Sequence, residues 1–377
     1  MYWIIILLTL IGIVKYDLRK SVFKGNSLFY IILFLIILTS TFAYRLGSDA
    51  PRYMDTFDYN IPRLNNLSWS FINNFNGRWN IGMILMMSIC KTIIPSFYFF
   101  KFIYACILNI TVFHFFAKNS NYKYMAVLFY IGMHAFYFNY EIFRESMAVC
   151  VFLWAYPFLL KHNYYYYYLF CIIAILFHSS AFIAFFLPLI LLLKVGKKST
   201  LIFVSLICIV LFLISERLNS YIGSFLTISE NLVDSYSHYL ESEKYGSSRI
   251  SIGMLFSYVV NIIIPIIMLY IIPKKQGEKS YYVMVLVMPI LVLLSQIVPI
   301  IDRLTNYFII FSVLFYIEIF DFFAKIIVKR NGSYVFLFLC VVYVSFSFYR
   351  NSFRELYEGT GFRSIDRYYP YVSMIDQ

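Results

Sequence analysis

Charge is what this sequence has least of. Only 13% of its 377 residues are Asp, Glu, Lys or Arg, where a soluble domain carries about a quarter. That shortage excludes a soluble enzyme and a disordered chain, both of which rely on charge for solvation. Cysteine is present without pattern. Cys90, Cys106, Cys150, Cys171, Cys208 and Cys340 all sit in apolar stretches, and no CxxC spacing occurs. A secreted disulfide scaffold is excluded, and the thiols read as small core or lipid-facing residues. HExxH, a P-loop, GxGxxG and GxSxG are absent, which removes the common metalloprotease, nucleotide and nucleophile-elbow signatures. No internal repeat and no low-complexity linker divides the chain.

What is there is apolar. The chain is 62% hydrophobic with a mean hydropathy of +0.75. That is about 234 residues, against the ~240 used by twelve membrane helices of ~20 residues. Apolar runs fall at 2–14, 27–44, 79–95, 97–117, 122–140, 146–160, 164–178, 180–193, 199–215, 252–272, 281–300, 304–324 and 334–349. The first has no cleavage-site chemistry and is taken as a span, not a signal peptide. The sequence thus predicts an all-α, polytopic integral membrane protein with about 12 transmembrane helices (11 to 13). It reads as one transmembrane domain over 1–349 and a tail over 350–377. Tyr and Phe are abundant, 36 and 41 residues, and the run Tyr164 to Tyr168 is assigned to an interfacial aromatic belt.

The net charge of +12 would suggest nucleic acid on a soluble protein. Here the excess lies in short loops, which is the positive-inside pattern, and no nucleic acid is implied. Lys15, Arg19, Lys20 and Lys24 place the first loop in the cytoplasm. Lys194, Lys197 and Lys198 do the same, as do Lys274, Lys275 and Lys279, and then Lys325, Lys329 and Arg330. The polar segments 45–78, 216–250 and 350–377 are left outside. Parity admits two arrangements. If 79–95 crosses, 164–193 must be one long helix. If 79–95 dips in and returns, 164–178 and 180–193 form a short pair turning at His178. The second is preferred, because it keeps Lys118, Lys123 and Lys161 inside, and re-entrant segments are tolerated where they line a cavity.

Charges away from helix ends in a bilayer mark functional sites. Four stretches qualify. The first runs from Arg45 to Asp58 and includes Gly47, Asp49, Arg52 and Tyr53. Arginine there suits bidentate phosphate binding, and Asp49 suits a sugar hydroxyl, although surface ion pairs would use the same residues. The second is Glu141, Arg144 and Glu145, with Arg144 as the functional candidate and the two Glu as structural support. The third is Phe177-His178-Ser179-Ser180-Ala181, where His178 can act as a general base. His114 and His134 lack such company and are assigned to the core. The fourth is Asp302-Arg303 through Tyr307, with Arg303 a second phosphate candidate. Arg78, before Trp79, serves either as a further phosphate contact or as a snorkelling anchor. The loop 216–250 has the pattern of a capping helix or lid. Together these predict an outer cavity of arginines, a histidine and an aspartate. Such a set suits a pyrophosphate leaving group, with no metal site and no cofactor implied.

The same residues carry a family resemblance. The stretch Arg45…Gly47-Ser48-Asp49…Tyr53…Phe57, then Arg144-Glu145…Ala148, Phe177-His178-Ser179-Ser180-Ala181 and Arg303-Leu304…Tyr307 resembles the EpsG-like, Wzy-type polymerases of bacterial surface polysaccharides (O-antigen, capsule or exopolysaccharide). Glu145 stands where the family commonly has Gln, and a single residue separates Arg45 from Gly47. The resemblance implies a glycosyltransferase-type polymerase of the bacterial inner membrane, working at its periplasmic or outer face. Its substrates would be undecaprenyl-pyrophosphate-linked oligosaccharide repeat units, and a chain-length regulator would be a possible partner. In that reading His178 or Asp49 is the base, and Arg45, Arg144, Arg303 and Arg78 bind pyrophosphate. Tyr53, Trp79 and Tyr307 would meet sugar rings. An O-antigen ligase-type transferase would use similar chemistry. A flippase or transporter fits less well, since transporters often show repeats and midplane sites. A membrane acyltransferase would draw its acyl donor from the cytoplasm, away from the polar loops.

Overall fold

A computed structural model describes residues 2–18, 26–75, 80–133, 135–191, 202–210, 258–272, 279–297, 301–327, 332–353, 363–369 and 371–373. The helices are α1 (Tyr2–Gly12), α2 (Asn26–Phe42), α3 (Ala50–Asp55), α4 (Trp69–Asn74), α5 (Ile81–Ile93), α6 (Phe97–Asn119), α7 (Lys123–Gly132), α8 (Phe143–Leu160) and α9 (Tyr164–Phe177). They continue as α10 (Leu187–Ile190), α11 (202–210), α12 (Ile264–Ile271), α13 (Lys279–Ile297), α14 (Asp302–Ile327) and α15 (Gly332–Ser352). Among the described residues no strand forms, and the one extended pairing is an isolated antiparallel bridge between Ala43 and Ser373. The fold is all-α and polytopic, as the apolar runs predict. Among the described residues, four helices, Phe97–Asn119, Phe143–Leu160, Asp302–Ile327 and Gly332–Arg350, are long and apolar enough to cross a membrane, and shorter apolar helices accompany them.

The chain forms two compact units. One holds Met1–Phe185, Phe323–Arg354 and Ser364–Gln377, and the other holds Phe186–Phe322 and Glu355–Arg363. In the second, the ring of Tyr282 on α13 meets Phe315 on α14 edge-on at 6.1 Å. Its hydroxyl donates to the Glu318 carboxylate at 3.3 Å. The Tyr316 hydroxyl donates to the Val260 carbonyl. The outer loop 216–250, expected as a cap or lid, lies outside the described residues.

The first unit shows how an apolar solvent shapes helices. Backbone and hydroxyl groups must be satisfied internally. On α2, Thr39 and Thr41 donate back to the Leu35 and Ile37 carbonyls at 2.7 Å. The α2 helix runs antiparallel to α6: Phe29 stacks near Phe113 at 4.8 Å, and Ala43 meets Lys101 at the other end. The α6 and α8 helices run parallel, with Tyr104 beside Ser146 at 2.6 Å and Thr111 beside Trp154 at 2.8 Å. One end of this unit therefore gathers the end of α2 and the starts of α6 and α8.

The segment between α2 and α6 stays at that end. The Phe57 ring packs on Phe97 at 5.9 Å, so the chain leaves and re-enters the same region. Lys91, near the end of α5, donates to the Phe57 and Asp58 carbonyls at 2.6 and 3.0 Å. The α5 helix has 13 residues, about 20 Å, which is short of the ~30 Å hydrocarbon layer. Its start packs on Leu176 and Phe177 of α9, and its end on the Phe57–Asp58 segment. The chain also doubles back at His178. A continuous helix would hold residues 167 and 184 about 25 Å apart. Instead the Tyr167 hydroxyl donates to the Ala184 carbonyl, and the rings of Tyr168 and Phe185 lie 5.3 Å apart.

Gly82 is where α5 meets the tip of α9. A Cβ there would lie 2.9 Å from the Leu176 carbonyl oxygen. Because the obstacle is backbone, Gly82→Ala is expected to cost about 1–3 kcal/mol. Thermal unfolding of the purified protein in detergent checks this, and an unchanged melting temperature would refute the close packing.

Candidate functional site

The site begins where α2 stops. Lys101, fully buried on α6, donates from Nζ to the Ala43 carbonyl at 2.5 Å and satisfies the helix end. The chain then turns through two left-handed residues, Arg45 (φ 49) and Gly47 (φ 89). Gly47 is required twice over. Its φ is one that side chains rarely adopt, and a Cβ would lie 2.5 Å from the Tyr140 carbonyl oxygen. Pro51, in the first turn of α3, sets the helical φ that starts it.

This turn is clasped to the one before α8 by a reciprocal pair of bonds. The Ser48 N–H donates to Glu141 Oε1 at 3.1 Å. The Ile142 N–H donates to Asp49 Oδ2 at 3.0 Å. Each loop thus lends a carboxylate to the other loop's backbone. Ile142 sits at φ 50, a position that costs a β-branched residue about 1–3 kcal/mol. The Asp49 bond is what fixes it there. Glu141 and Glu145 are the only acidic residues between Asp58 and Glu216, and both are buried.

Ile142 turns the chain so that Arg144 lies in the first turn of α8. Its Nε donates to the Tyr53 hydroxyl at 3.0 Å. Tyr53 is 4% exposed, with its ring packed 4.8 Å from Phe143. Burial pushes the Tyr53 phenol up to about 12, against the opposing pull of the Arg144 charge. Arg45 pairs with Asp55, Nη2 to Oδ1 at 2.8 Å, on the exposed face of α3. One short helix therefore anchors both arginines, Arg45 through Asp55 and Arg144 through Tyr53.

His178 stands at the same level. The α8 and α9 helices form a hairpin. From Leu160 back to Arg144 is about 24 Å of helix, and from Tyr164 to Phe177 is about 20 Å. His178, 7% exposed, follows immediately in extended conformation. The Ser180 N–H donates to its Nδ1 at 3.2 Å, and the Ser180 hydroxyl lies 2.5 Å from the same nitrogen. Nδ1 is thus an acceptor, so the neutral imidazole carries its proton on Nε2.

The structure brings Arg45, Asp49, Tyr53, Arg144 and His178 to one end of one unit. Arg303 and Tyr307 belong to the other unit, near the start of α14, where Tyr307 is fully buried. Arg78 and Trp79 lie outside the described residues. Two residues escaped the sequence reading. Lys101 is a lone cation inside an apolar run, the very signal that flagged the others. Asp55 was one acid among three in the first loop, and nothing in spacing singles it out. Among the described residues, no three His, Cys, Asp or Glu side chains come together as a metal-ligand set.

The model of the EpsG family aligns with residues 26–373. No curated protein and no solved structure matches the chain.

The Tyr53 contact makes a pH-dependent prediction. Tyr53→Phe loses a hydrogen bond to a charged group, worth about 1.5–3 kcal/mol. The folded phenol at about 12 lies above an ordinary tyrosine, near 10 in an unfolded chain, so its contribution is complete below about pH 10 and declines as pH rises toward 12. Melting temperatures of wild type and variant are expected to differ most at neutral pH and to converge above about pH 10. A gap that is constant or widens with alkali contradicts the assignment.

Proposed function

The chain belongs to the EpsG family, which points to a polysaccharide-polymerase type of function, and on that premise we propose that it joins lipid-linked oligosaccharide repeat units. The substrates are polyprenyl-pyrophosphate-linked, undecaprenyl in a bacterial inner membrane, and the reaction runs at the outer face. The observation that carries this reading is the grip of Tyr53 on Arg144. It holds a guanidinium at the rim of a membrane helix pair, level with His178. A lipid-linked substrate meets such a place with its tail in the bilayer and its pyrophosphate at the rim.

The chemistry is a glycosyl transfer. A hydroxyl at the non-reducing end of an incoming unit attacks the anomeric carbon of the growing glycan. The new carbon–oxygen bond forms as the bond to the pyrophosphate oxygen breaks, and the polyprenyl pyrophosphate leaves with both electrons. Arg144 and Arg45 stabilise the charge that develops on that leaving group. Asp49 takes the hydroxyl proton through the oxygen not engaged by the Ile142 N–H. The imidazole tautomer supports a donor role for His178, with Nε2–H directed to a phosphate or sugar oxygen. A regulator of chain length is the partner such a polymerase would work with.

Arg144→Ala is expected to abolish long glycan chains, and Arg144→Lys to retain a fraction, since a point charge replaces a fork. The glycan ladder of the host strain reads this, with membrane abundance matched. A normal ladder from Arg144→Ala overturns the role. Complete deletion separates the related chemistry: single capped units mean a lost polymerase, and uncapped polymer left on its carrier means a lost ligase.

A further inference from the structure

The end of the chain returns to the site. Residues 364–367 form a single 3₁₀ turn, and the segment beyond it lies against the loop that carries Arg45 and Asp49. Four bonds hold it. The Gly47 N–H donates to the Arg367 carbonyl at 3.0 Å, and the Tyr44 N–H to the Val372 carbonyl at 2.8 Å. The Tyr368 hydroxyl donates to Glu141 Oε1 at 2.8 Å. Arg367 Nη1 lies 3.4 Å from the same oxygen, forming an ion pair with Glu141. The antiparallel bridge of Ala43 with Ser373 continues this contact.

Two features make the arrangement more than a docked tail. Glu141 Oε1 is shared, since it accepts from Ser48 in the site loop and from Tyr368 in the tail. Gly47 is also gripped from both sides, by the Tyr140 carbonyl against its Cα and the Arg367 carbonyl on its N–H. The loop's backbone donors at 44, 47 and 48 are therefore spent on groups outside the loop. The tail and Glu141 thus share in setting its conformation.

We infer that the C-terminal segment, residues 364–369 and 371–373, is a fixed strap that completes the site, and that Glu141, Arg367 and Tyr368 are positioning residues for the Arg45–Asp49 loop. The strap touches no reacting atom. It acts by holding Asp49 and Arg45 in one geometry, and it stays closed through turnover. The inference rests on the proposed function only for its readout.

The experiment uses the full-length chain in its host, with the glycan ladder and membrane abundance measured together. Tyr368→Phe removes one hydroxyl and leaves the fold intact. It is expected to reduce long chains at least tenfold at unchanged abundance, a change that a merely structural role would not produce. Truncation after residue 362 is expected to abolish them. The bridge geometry allows a lock, because Tyr44 N–H to Val372 carbonyl bonding makes Ala43 and Ser373 a non-hydrogen-bonded pair. Such a pair has Cα atoms about 4.5 Å apart, within disulfide range. Ala43→Cys with Ser373→Cys, oxidised, is expected to keep a normal ladder. A normal ladder from Tyr368→Phe or the truncation overturns the positioning role. Loss of long chains on oxidation, restored by reductant, overturns the fixed strap. If deletion of the whole gene leaves the ladder unchanged, the proposed function fails instead, and the two failures are distinct.

Discussion

A buried carboxylate must be held by donors, and this structure spends that requirement on closing two loops. Glu141 and Asp49 each accept a backbone N–H from the other's turn. The arrangement of the candidate residues at this end of the unit hangs from that exchange. It holds Ile142 at a left-handed φ, which starts α8 in the direction that delivers Arg144 to Tyr53. It also lays α3 across the helix tips, so that Asp55 can hold Arg45. Removing either acid would take away an amide's partner and the hold of one loop on the other.

The device explains why so few charges suffice. Arg45 and Arg144 are oriented by neighbours on a single short helix, and His178 is oriented by the residue two positions on. None of these contacts needs a large soluble domain. The site is built from turns where helices begin and end. On the proposed reading, a pyrophosphate would bring charge that these guanidinium groups can meet.

Much of this was legible in the sequence. The apolar runs gave the helical class, and the rule that intramembrane charges mark function singled out Arg45, Asp49, Arg144 and His178, which the structure places at one end of one unit. The turn at His178 followed from the placement of lysines, and the Tyr167–Ala184 contact agrees with it. What spacing does not carry is partnership between distant segments. The bond from Glu141 to Tyr368 joins residues 227 positions apart, and no periodicity announces it. Lys101 was hidden differently: one cation in a long apolar helix looks like an exception until its carbonyl partner is seen. The first loop read as a stretch of independent charges, whereas its geometry is imposed from three other places in the chain.

The measurement that bears most directly on the account is product stoichiometry in a purified system. The protein is reconstituted in liposomes with a synthetic polyprenyl-pyrophosphate-linked repeat unit, and glycan length and released lipid are followed together. The account predicts chains that lengthen by whole repeat units, with one polyprenyl pyrophosphate released for each new glycosidic bond. Lengthening without that release, or transfer of the glycan only to an acceptor other than a second lipid-linked unit, would contradict it.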